Sequence, residues 1–243
     1  MTFKNHPFAV DAFFEHSLVI TFAIPKIQVV GIIPECVELD LLRNEWAFIA
    51  IAMVQTKNLR PASFPEWMGN DFFLIGYRIF VRYRSPSGKR LRGLYILRSE
   101  TDSSKMTSLG NIFTHYTYST TDINLVVDDK SRTIHSHKSA LEISVAYAPE
   151  HVPLPSDSPF ADWKEARKFA GPMPYTFGYD KTKKEVVIVE GVRRGWNPAP
   201  VMVNSYSVGF LDRLNLSDAV LASAFEVSNI HYHWKKGSVE KWI

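Results

Sequence analysis

Three ionisable residues lie within one short stretch of the sequence and could together act on a small acid. Arg98 and Glu100 end a strand-like segment, and His115 follows after a helix-like one. A guanidinium binds carboxylates in bidentate fashion, and a histidine can act as a general base near neutral pH. We therefore predict that Glu100 and His115 are catalytic and that Arg98 binds substrate. The alternative is a structural ion pair between Arg98 and Glu100, with His115 bonded to backbone or to Glu100.

Three aromatic residues complete the predicted site as substrate-binding residues. Tyr77 and Tyr116 lie in the same stretch and could present hydroxyl groups to a ligand. Trp196 lies in a proline-stiffened loop beside Arg193 and Arg194, where it could roof a pocket. Ordinary packing in the core is the alternative for each of the three.

Lys105 is a candidate amine nucleophile in the same stretch. A lysine that forms a Schiff base must be neutral, which requires desolvation or a cationic neighbour. The neighbours of Lys105 include Asp102 and Glu100, and these acids favour the charged amine. We therefore expect Lys105 to be an ordinary solvated lysine.

Two His-x-His pairs could chelate a metal, because residues i and i+2 of a strand point the same way. The pairs are His135 with His137 and His231 with His233. Each lies near a turn or a chain end, and no cysteine or carboxylate is placed to complete a site. We predict no metal and no cofactor.

These residues depend for their positions on a long hairpin, a helix and a third strand. The arms run over 71–84 and 90–100, the helix over 103–113 and the third strand over 114–118. Alternation in the first arm places Tyr77 on an apolar face and Arg78 on the other. The second arm repeats the scheme and places six residues on a single face: Arg90, Arg92, Leu94, Ile96, Arg98 and Glu100.

The rest of the chain is predicted to be mainly strand. Apolar or β-branched runs indicate strands at 18–24, 37–41, 46–54, 124–127, 131–137, 141–147, 185–193, 202–210 and 225–234. Short helices are predicted at 25–33, with Ile27, Val30 and Ile33 inward, at 162–169, and at 216–224 behind a Ser217 cap. The segment 57–70 is predicted to be an ordered loop. Many strands and few helices favour a barrel or cone-shaped sheet in a single domain, residues 1–243.

Composition excludes several classes of protein. The 243 residues include 28 Lys and Arg against 25 Asp and Glu, so the net charge of +3 gives no nucleic-acid surface. The single cysteine rules out an internal disulfide and fits a reducing compartment. There is no apolar run long enough for a signal peptide or a membrane span. We expect a cytoplasmic protein with no membrane partner.

The order of several motifs resembles the acetoacetate decarboxylase-like superfamily over roughly residues 10–235. The opening strand is followed by Ile32-Ile33-Pro34-Glu35 and an apolar-acidic strand, and the hairpin 77–100 lies where that family has its central hairpin. The chain is most similar to an uncharacterised bacterial branch, a domain of unknown function. The marks of that branch are Val54-Gln55-Thr56, Asp71-Phe72-Phe73-Leu74, Gly76-Tyr77-Arg78 and Thr114-His115-Tyr116.

The resemblance implies an antiparallel β-barrel around an internal apolar cavity, often in an oligomer. It also implies that the catalytic residues of the decarboxylases have no counterparts in this chain. The lysine pair that forms their Schiff base falls at Thr114-His115-Tyr116, an expected arginine falls near Glu15, and an expected acid falls near Ile49. Acetoacetate decarboxylation itself is therefore not expected.

Two functions stay open at this point. In the first, the chain binds a small organic acid or hydrophobic metabolite in a barrel cavity, without the Schiff-base lysine pair. In the second, it is a lyase or hydrolase that acts on a keto acid-type substrate through Arg98, Glu100 and His115. In both, the partner is a small-molecule ligand, and a homo-oligomer is compatible with either.

Overall fold

A computed structural model describes residues 3–146, 151–171 and 173–242, and this part of the chain folds mainly into β-strands. The long strands are β1 (Val10–Pro25), β3 (Trp46–Pro61), β4 (Asn70–Arg84), β5 (Arg90–Thr101), β11 (Glu185–Arg194) and β14 (Val220–Trp234). The shorter ones are β2 (Glu38–Leu39), β6 (Tyr118–Thr120), β7 (Asn124–Val127), β8 (Ser131–Ser136), β9 (Leu141–Ala146), β10 (Tyr175–Asp180), β12 (Ala199–Pro200), β13 (Val203–Val208) and β15 (Ser238–Lys241). The α-helices are α1 (Ser104–Phe113), α2 (Trp163–Phe169) and α3 (Gly209–Arg213). The predicted fold class is confirmed.

Seven strands form a closed ring. Strands β14, β1, β3, β4, β5, β10 and β11 pair in that order, and β11 pairs again with β14 from Gly191↔Trp234 to Arg194↔His231. All neighbours in the ring are antiparallel except β5 and β10. A separate four-stranded sheet, in the order β13-β9-β8-β7, packs its apolar side chains into the same core as the ring. The curved sheet that the sequence predicted is therefore present.

The two faces of the ring strands have different roles, as the alternation of the first hairpin arm predicts. One face of β4 carries Phe73, Ile75, Tyr77, Ile79, Val81 and Tyr83, which are all buried in the largest core cluster. The other face carries Phe72, Leu74, Gly76, Arg78 and Phe80, which border a cavity. The strand over 46–54 is buried on both faces, as predicted.

A bulge in β5 corrects the prediction for the second hairpin arm. Tyr77 pairs with Arg98, but Arg78 pairs with Ile96, so Leu97 is an extra residue in β5. A bulge of one residue moves every following side chain to the opposite face. Arg98 and Glu100 therefore lie on the face of Tyr77, while Leu94 and Ile96 lie on the face of Arg78.

Four further element predictions are wrong. Residues 216–224 form no helix, because β14 begins at Val220 and pairs with β1 (Ala224↔Ile20). The predicted helix at 25–33 is a single 3-10 turn, Lys26–Gln28, which leaves Ile27 and Val30 exposed. Strand β3 continues to Pro61, which shortens the predicted loop, and the third strand begins only at Tyr118.

The remaining helix predictions are confirmed. The hydroxyl of Ser103 accepts a hydrogen bond from the Met106 backbone N–H at the start of α1, and Asp162 caps α2 through the Glu165 N–H. The predicted strand 141–147 is seen as β9, whereas Tyr147 lies outside the described residues. Within the described ranges, none of the helices has the length and apolar character needed to cross a membrane.

Candidate functional site

A cavity of about 530 Å³ lies inside the ring. Each of the seven ring strands contributes at least one lining side chain, and α1 covers one side with Met106, Leu109 and Gly110. Most of the lining is apolar, and a volume of this size is typical of sites for small molecules. The arrangement fits an organic ligand that is held within the barrel.

Arg78 places a guanidinium in the wall of this cavity. Its side chain folds back over Gly76, where a Cβ would lie only 3.0 Å from Arg78 Nε and 3.1 Å from Nη2. The missing side chain of Gly76 thus provides the space that the guanidinium occupies. Burial lowers the pKa of Arg78, although arginine remains charged in proteins.

The guanidinium of Arg78 has no anionic partner in the part of the chain that the structure describes. No ion pair or hydrogen bond involves its side chain, and its buried Nε is unsatisfied. Among the described residues that line the cavity, only Glu226 carries a carboxylate, and it is bound to His16 (3.1 Å) and Arg132 (2.6 Å). Charges withdrawn from water are costly without a partner, so an anion inside the cavity would stabilise this half-buried guanidinium.

Three tyrosines surround Arg78 in the cavity wall. Tyr116, Tyr118 and Tyr232 all interact electrostatically with its charge. Burial raises the pKa of Tyr118 to about 12 and also raises that of Tyr116, whereas Arg78 opposes both shifts. The hydroxyl of Tyr116 makes no well-aligned hydrogen bond, although Thr176 is near enough to lower its pKa. Neutral tyrosine hydroxyls can donate hydrogen bonds to a bound carboxylate.

A second guanidinium, that of Arg193, is already engaged by its neighbours. Its Cζ lies 4.3 Å from the ring centroid of Trp196 and 5.5 Å from that of Tyr232. Its Nη2 also donates to the carbonyl of Met173 at 3.2 Å. Cation–π contacts of this kind hold Trp196 at the cavity wall.

The structure brings three of the predicted site residues together outside the cavity. Arg98 Nε lies 2.8 Å from Glu100 Oε1, and the hydroxyl of Tyr77 donates to Glu100 Oε2 at 2.9 Å. The ring of Tyr77 stacks on Phe210, with 4.1 Å between the ring centroids. Because of the bulge at Leu97, these side chains face the core and not the cavity, which corrects the expected geometry. Their predicted roles in catalysis and binding stay predictions.

The other predicted residues divide between two places. Tyr116 and Trp196 line the main cavity. His115 lies in a bend and borders a separate small cleft beside Gly178, where burial lowers its pKa. Lys105 is exposed at the rim of the main cavity. His115 is therefore not placed beside Glu100.

The histidines of the two His-x-His pairs contact an aspartate or aromatic rings. His233 Nδ1 lies 2.6 Å from Asp11 Oδ1, His231 packs on Phe13, and His135 packs on His137. Among the described residues, no group of three or more His, Cys, Asp or Glu side chains is arranged to hold a metal ion.

Sequence reasoning missed the residues at the centre of the cavity, chiefly Arg78. Its signal was present: Arg78 is the one charged residue of the stretch 72–81, and it lies two positions after Gly76 on the face opposite Tyr77. On a strand that is buried on both faces, residues two positions apart lie side by side on one face. A glycine there leaves room for the side chain of a neighbouring charged residue, and this pattern indicates a polar group inside the fold. Arg193 and Tyr232 join Arg78 only through closure of the ring, for which the sequence has no local signal.

Comparisons with known proteins agree on the fold. Residues 12–238 match DUF2071, a family described as an uncharacterized conserved protein. No match to the chain is found among the curated proteins.

Solved structures of low sequence identity share the architecture. An acetoacetate decarboxylase from Legionella pneumophila is 12% identical with a TM-score of 0.65, over 96% of this chain and 87% of that one. An acetoacetate decarboxylase-like enzyme from Sphingomonas wittichii is 10% identical with a TM-score of 0.62, over 99% and 94%. The enduracididine biosynthesis enzyme MppR, solved with pyruvate, is 10% identical with a TM-score of 0.57, over 96% and 90%. At these identities the likeness establishes the fold alone.

Proposed function

We propose that this chain, which belongs to the DUF2071 family of uncharacterized conserved proteins and has the acetoacetate decarboxylase-like fold, binds a small organic acid in its barrel cavity. The carboxylate is held by Arg78, with hydroxyl groups of the surrounding tyrosines as further donors. The observation that carries the proposal is the guanidinium of the half-buried Arg78, which borders the cavity with an unsatisfied, buried Nε and without an anionic partner among the described residues. MppR, which shares the fold, was solved with the organic acid pyruvate.

Recognition of a carboxylate follows from the chemistry of the site. A guanidinium can donate two parallel hydrogen bonds to the two oxygens of a carboxylate, and such charge-assisted bonds are the stronger kind. The ligand supplies the negative charge that the cavity lacks, so binding also removes the cost of the unpaired cation. An uncharged ligand of the same shape gains neither benefit.

A comparison of carboxylic acids with their uncharged amides distinguishes the proposed binding from simple apolar binding. We expect butyrate and benzoate, at about 100 times their Kd, to raise the melting temperature by about 5–10 °C, as a gain of about 2.7 kcal/mol gives for a chain of this size. Butyramide and benzamide should leave it unchanged. Differential scanning fluorimetry at constant ionic strength makes the measurement. Equal shifts from acid and amide would contradict the proposed role of Arg78.

The proposed binding needs no Schiff-base lysine. The described lining contains one lysine, Lys105, and its side chain is exposed at the rim. A lysine that forms a Schiff base needs desolvation or a cationic neighbour, and exposure at the rim does not provide desolvation.

Borohydride trapping tests this part of the proposal. We expect the mass of the protein to stay unchanged after incubation with pyruvate or acetoacetate and sodium borohydride. An acetoacetate decarboxylase treated in parallel serves as the positive control. A stable adduct that is absent in Lys105→Gln would show that Lys105 forms a Schiff base, and would favour the lyase alternative.

A further inference from the structure

The cavity changes in character along its length, in a way that indicates the shape of the ligand. Strand register places the side chains on the cavity side of β5, β4, β3 and β1 in successive rows. The rows are Arg78 with Ile96, Ala50 and Thr21; Gly76 with Ser99, Ala52 and Val19; Leu74 with Val54 and Ser17; and Phe72 with Thr56 and Phe14. Within these four rows the charge belongs to the first, and the larger apolar side chains of β4 belong to the third and fourth, while Phe80 borders the cavity on the other side of Arg78.

The apolar part of the cavity is long compared with a carboxylate. The guanidinium of Arg78 lies over Gly76, and Leu74 and Phe72 precede Gly76 by two and four residues, or roughly 7 and 13 Å along a strand. On the other side of Arg78, Phe80 also borders the cavity and stacks on Phe48 and Phe169, with 5.8 and 6.4 Å between ring centroids. Because the side chain of Arg78 folds away from Phe80, its guanidinium faces the apolar wall that leads toward Phe72.

The far end of this wall is apolar up to the protein surface. Phe64 and Met68, in the loop before β4, line the cavity and are 45% and 40% exposed. Exposed large apolar side chains at the mouth of a cavity are typical of an entrance for an apolar ligand. A short, fully polar acid would leave these contacts unused.

Among the described residues that line the cavity, one half-buried cation, Arg78, is available as an anchor for an anion. Arg193 is stacked on Trp196 and bonded to the Met173 carbonyl. At the rim, Arg60 pairs with Glu66 at 3.5 Å and Arg167 bonds to Asn197 at 3.3 Å. Among the described residues of the lining, the half-buried Arg78 has neither kind of partner, and its Nε is buried. One anchor and a long apolar wall fit a single carboxylate on an apolar body better than a dicarboxylate.

We infer that the ligand is an amphipathic monocarboxylic acid whose carboxylate binds Arg78 and whose apolar body lies along Leu74 and Phe72 toward Phe64 and Met68. The inference rests on the function proposed above and adds the class and orientation of the ligand. In the reverse orientation, the carboxylate would meet Lys105 at the rim and the apolar end would lie against Arg78. That arrangement would leave the half-buried guanidinium without an anion.

A series of straight-chain acids tests the inference. We expect the Kd, measured by isothermal titration calorimetry for even-numbered acids from acetate to dodecanoate, to fall about fourfold for each added methylene until the cavity is full. All titrations are made below the critical micelle concentration. Succinate and adipate, the dicarboxylates, should bind more weakly than the monocarboxylates of equal chain length.

A variant in the path of the apolar body locates the chain. Leu74→Trp should weaken octanoate and decanoate by at least about tenfold and leave acetate and butyrate within about twofold. Lys105→Met is the matched test of orientation and should leave the whole series unchanged. Thermal melts of both variants establish that they fold. The chain-length series is measured on the wild-type protein, so it tests the inference even if a variant does not fold.

The outcomes distinguish the inference from the function on which it rests. A Kd that does not change with chain length, while acids still bind and amides do not, would overturn the inference and leave the proposed function intact. Loss of acid binding in Lys105→Met but not in an Arg78 variant would overturn the orientation. If no acid binds in preference to its amide, both proposals fail together.

Discussion

Arg78→Met is expected to abolish carboxylate binding and, at the same time, to make the ligand-free protein more stable. Methionine keeps an unbranched, flexible side chain, although a shorter one, and removes the charge. Binding loses two charge-assisted hydrogen bonds, which corresponds to a rise in Kd of at least about 100-fold. The ligand-free fold loses a half-buried cation that has no anionic partner among the described residues, and we expect a gain of about 1 kcal/mol, since replacement of buried charged groups by apolar ones is often neutral or stabilising by about 1–4 kcal/mol. The melting temperature should therefore rise by a few degrees.

The opposite signs of these two effects make the prediction specific to a binding site. A residue whose role is structural would lower both stability and affinity when it is replaced. Calorimetric titration with octanoate and thermal melts without ligand make the two measurements. Arg84→Met is the matched control, since Arg84 lies on the same strand, is exposed and lies outside the cavity lining. A less stable Arg78→Met protein that still binds octanoate would refute the assignment.

Glu100→Ala is expected to destabilise the protein strongly and to leave carboxylate binding unchanged. The carboxylate of Glu100 is 1% exposed and accepts from the buried hydroxyl of Tyr77 while it pairs with Arg98. Removing one partner of a buried pair costs about 3–5 kcal/mol. Because 39% of the Arg98 side chain is exposed and can be solvated, we expect about 2–3 kcal/mol here.

Urea denaturation and octanoate titration separate a structural role of Glu100 from a role in the site. Glu100→Gln keeps an acceptor for the hydroxyl of Tyr77 and should cost less than half as much stability as Glu100→Ala. Unchanged affinity in both variants agrees with the position of Glu100 on the core face. A variant of normal stability that no longer binds acids would return Glu100 to the site, as the sequence had predicted.

The sequence was sufficient to predict where most strands lie. It was also sufficient to predict which face each side chain occupies, wherever the alternation along a strand is unbroken. Tyr77 and Arg78 fall on opposite sides of β4 as predicted, because residues in a regular strand alternate. The extra residue at Leu97 reverses the faces of Arg98 and Glu100, and the side chains of β5 contain no mark of it. The local pattern thus gave the correct residues for the hairpin and the wrong side of the sheet for two of them.

Tertiary pairing decided the other differences. The alanines and leucines of 216–224 are good helix formers, yet long pairing with β1 draws this segment into β14. The same pairing brings Tyr232 to the cavity, and closure by β11 adds Arg193. Contacts between segments so far apart in the sequence cannot be derived from periodicity.

Closure of the ring also determines when a ligand can first be recognised. The first strand to be synthesised completes its pairing only with the last long one, as the Ser17↔Val227 contact shows. Chains dominated by such distant pairings fold slowly, since the loops between partners must close before the contacts form. During translation Arg78 is synthesised early, in β4. The strands that close the cavity around it, β11 and β14, are synthesised later. Affinity for the acid thus requires that β14 has paired with β1 and β11, and a bound acid would report that this pairing is complete.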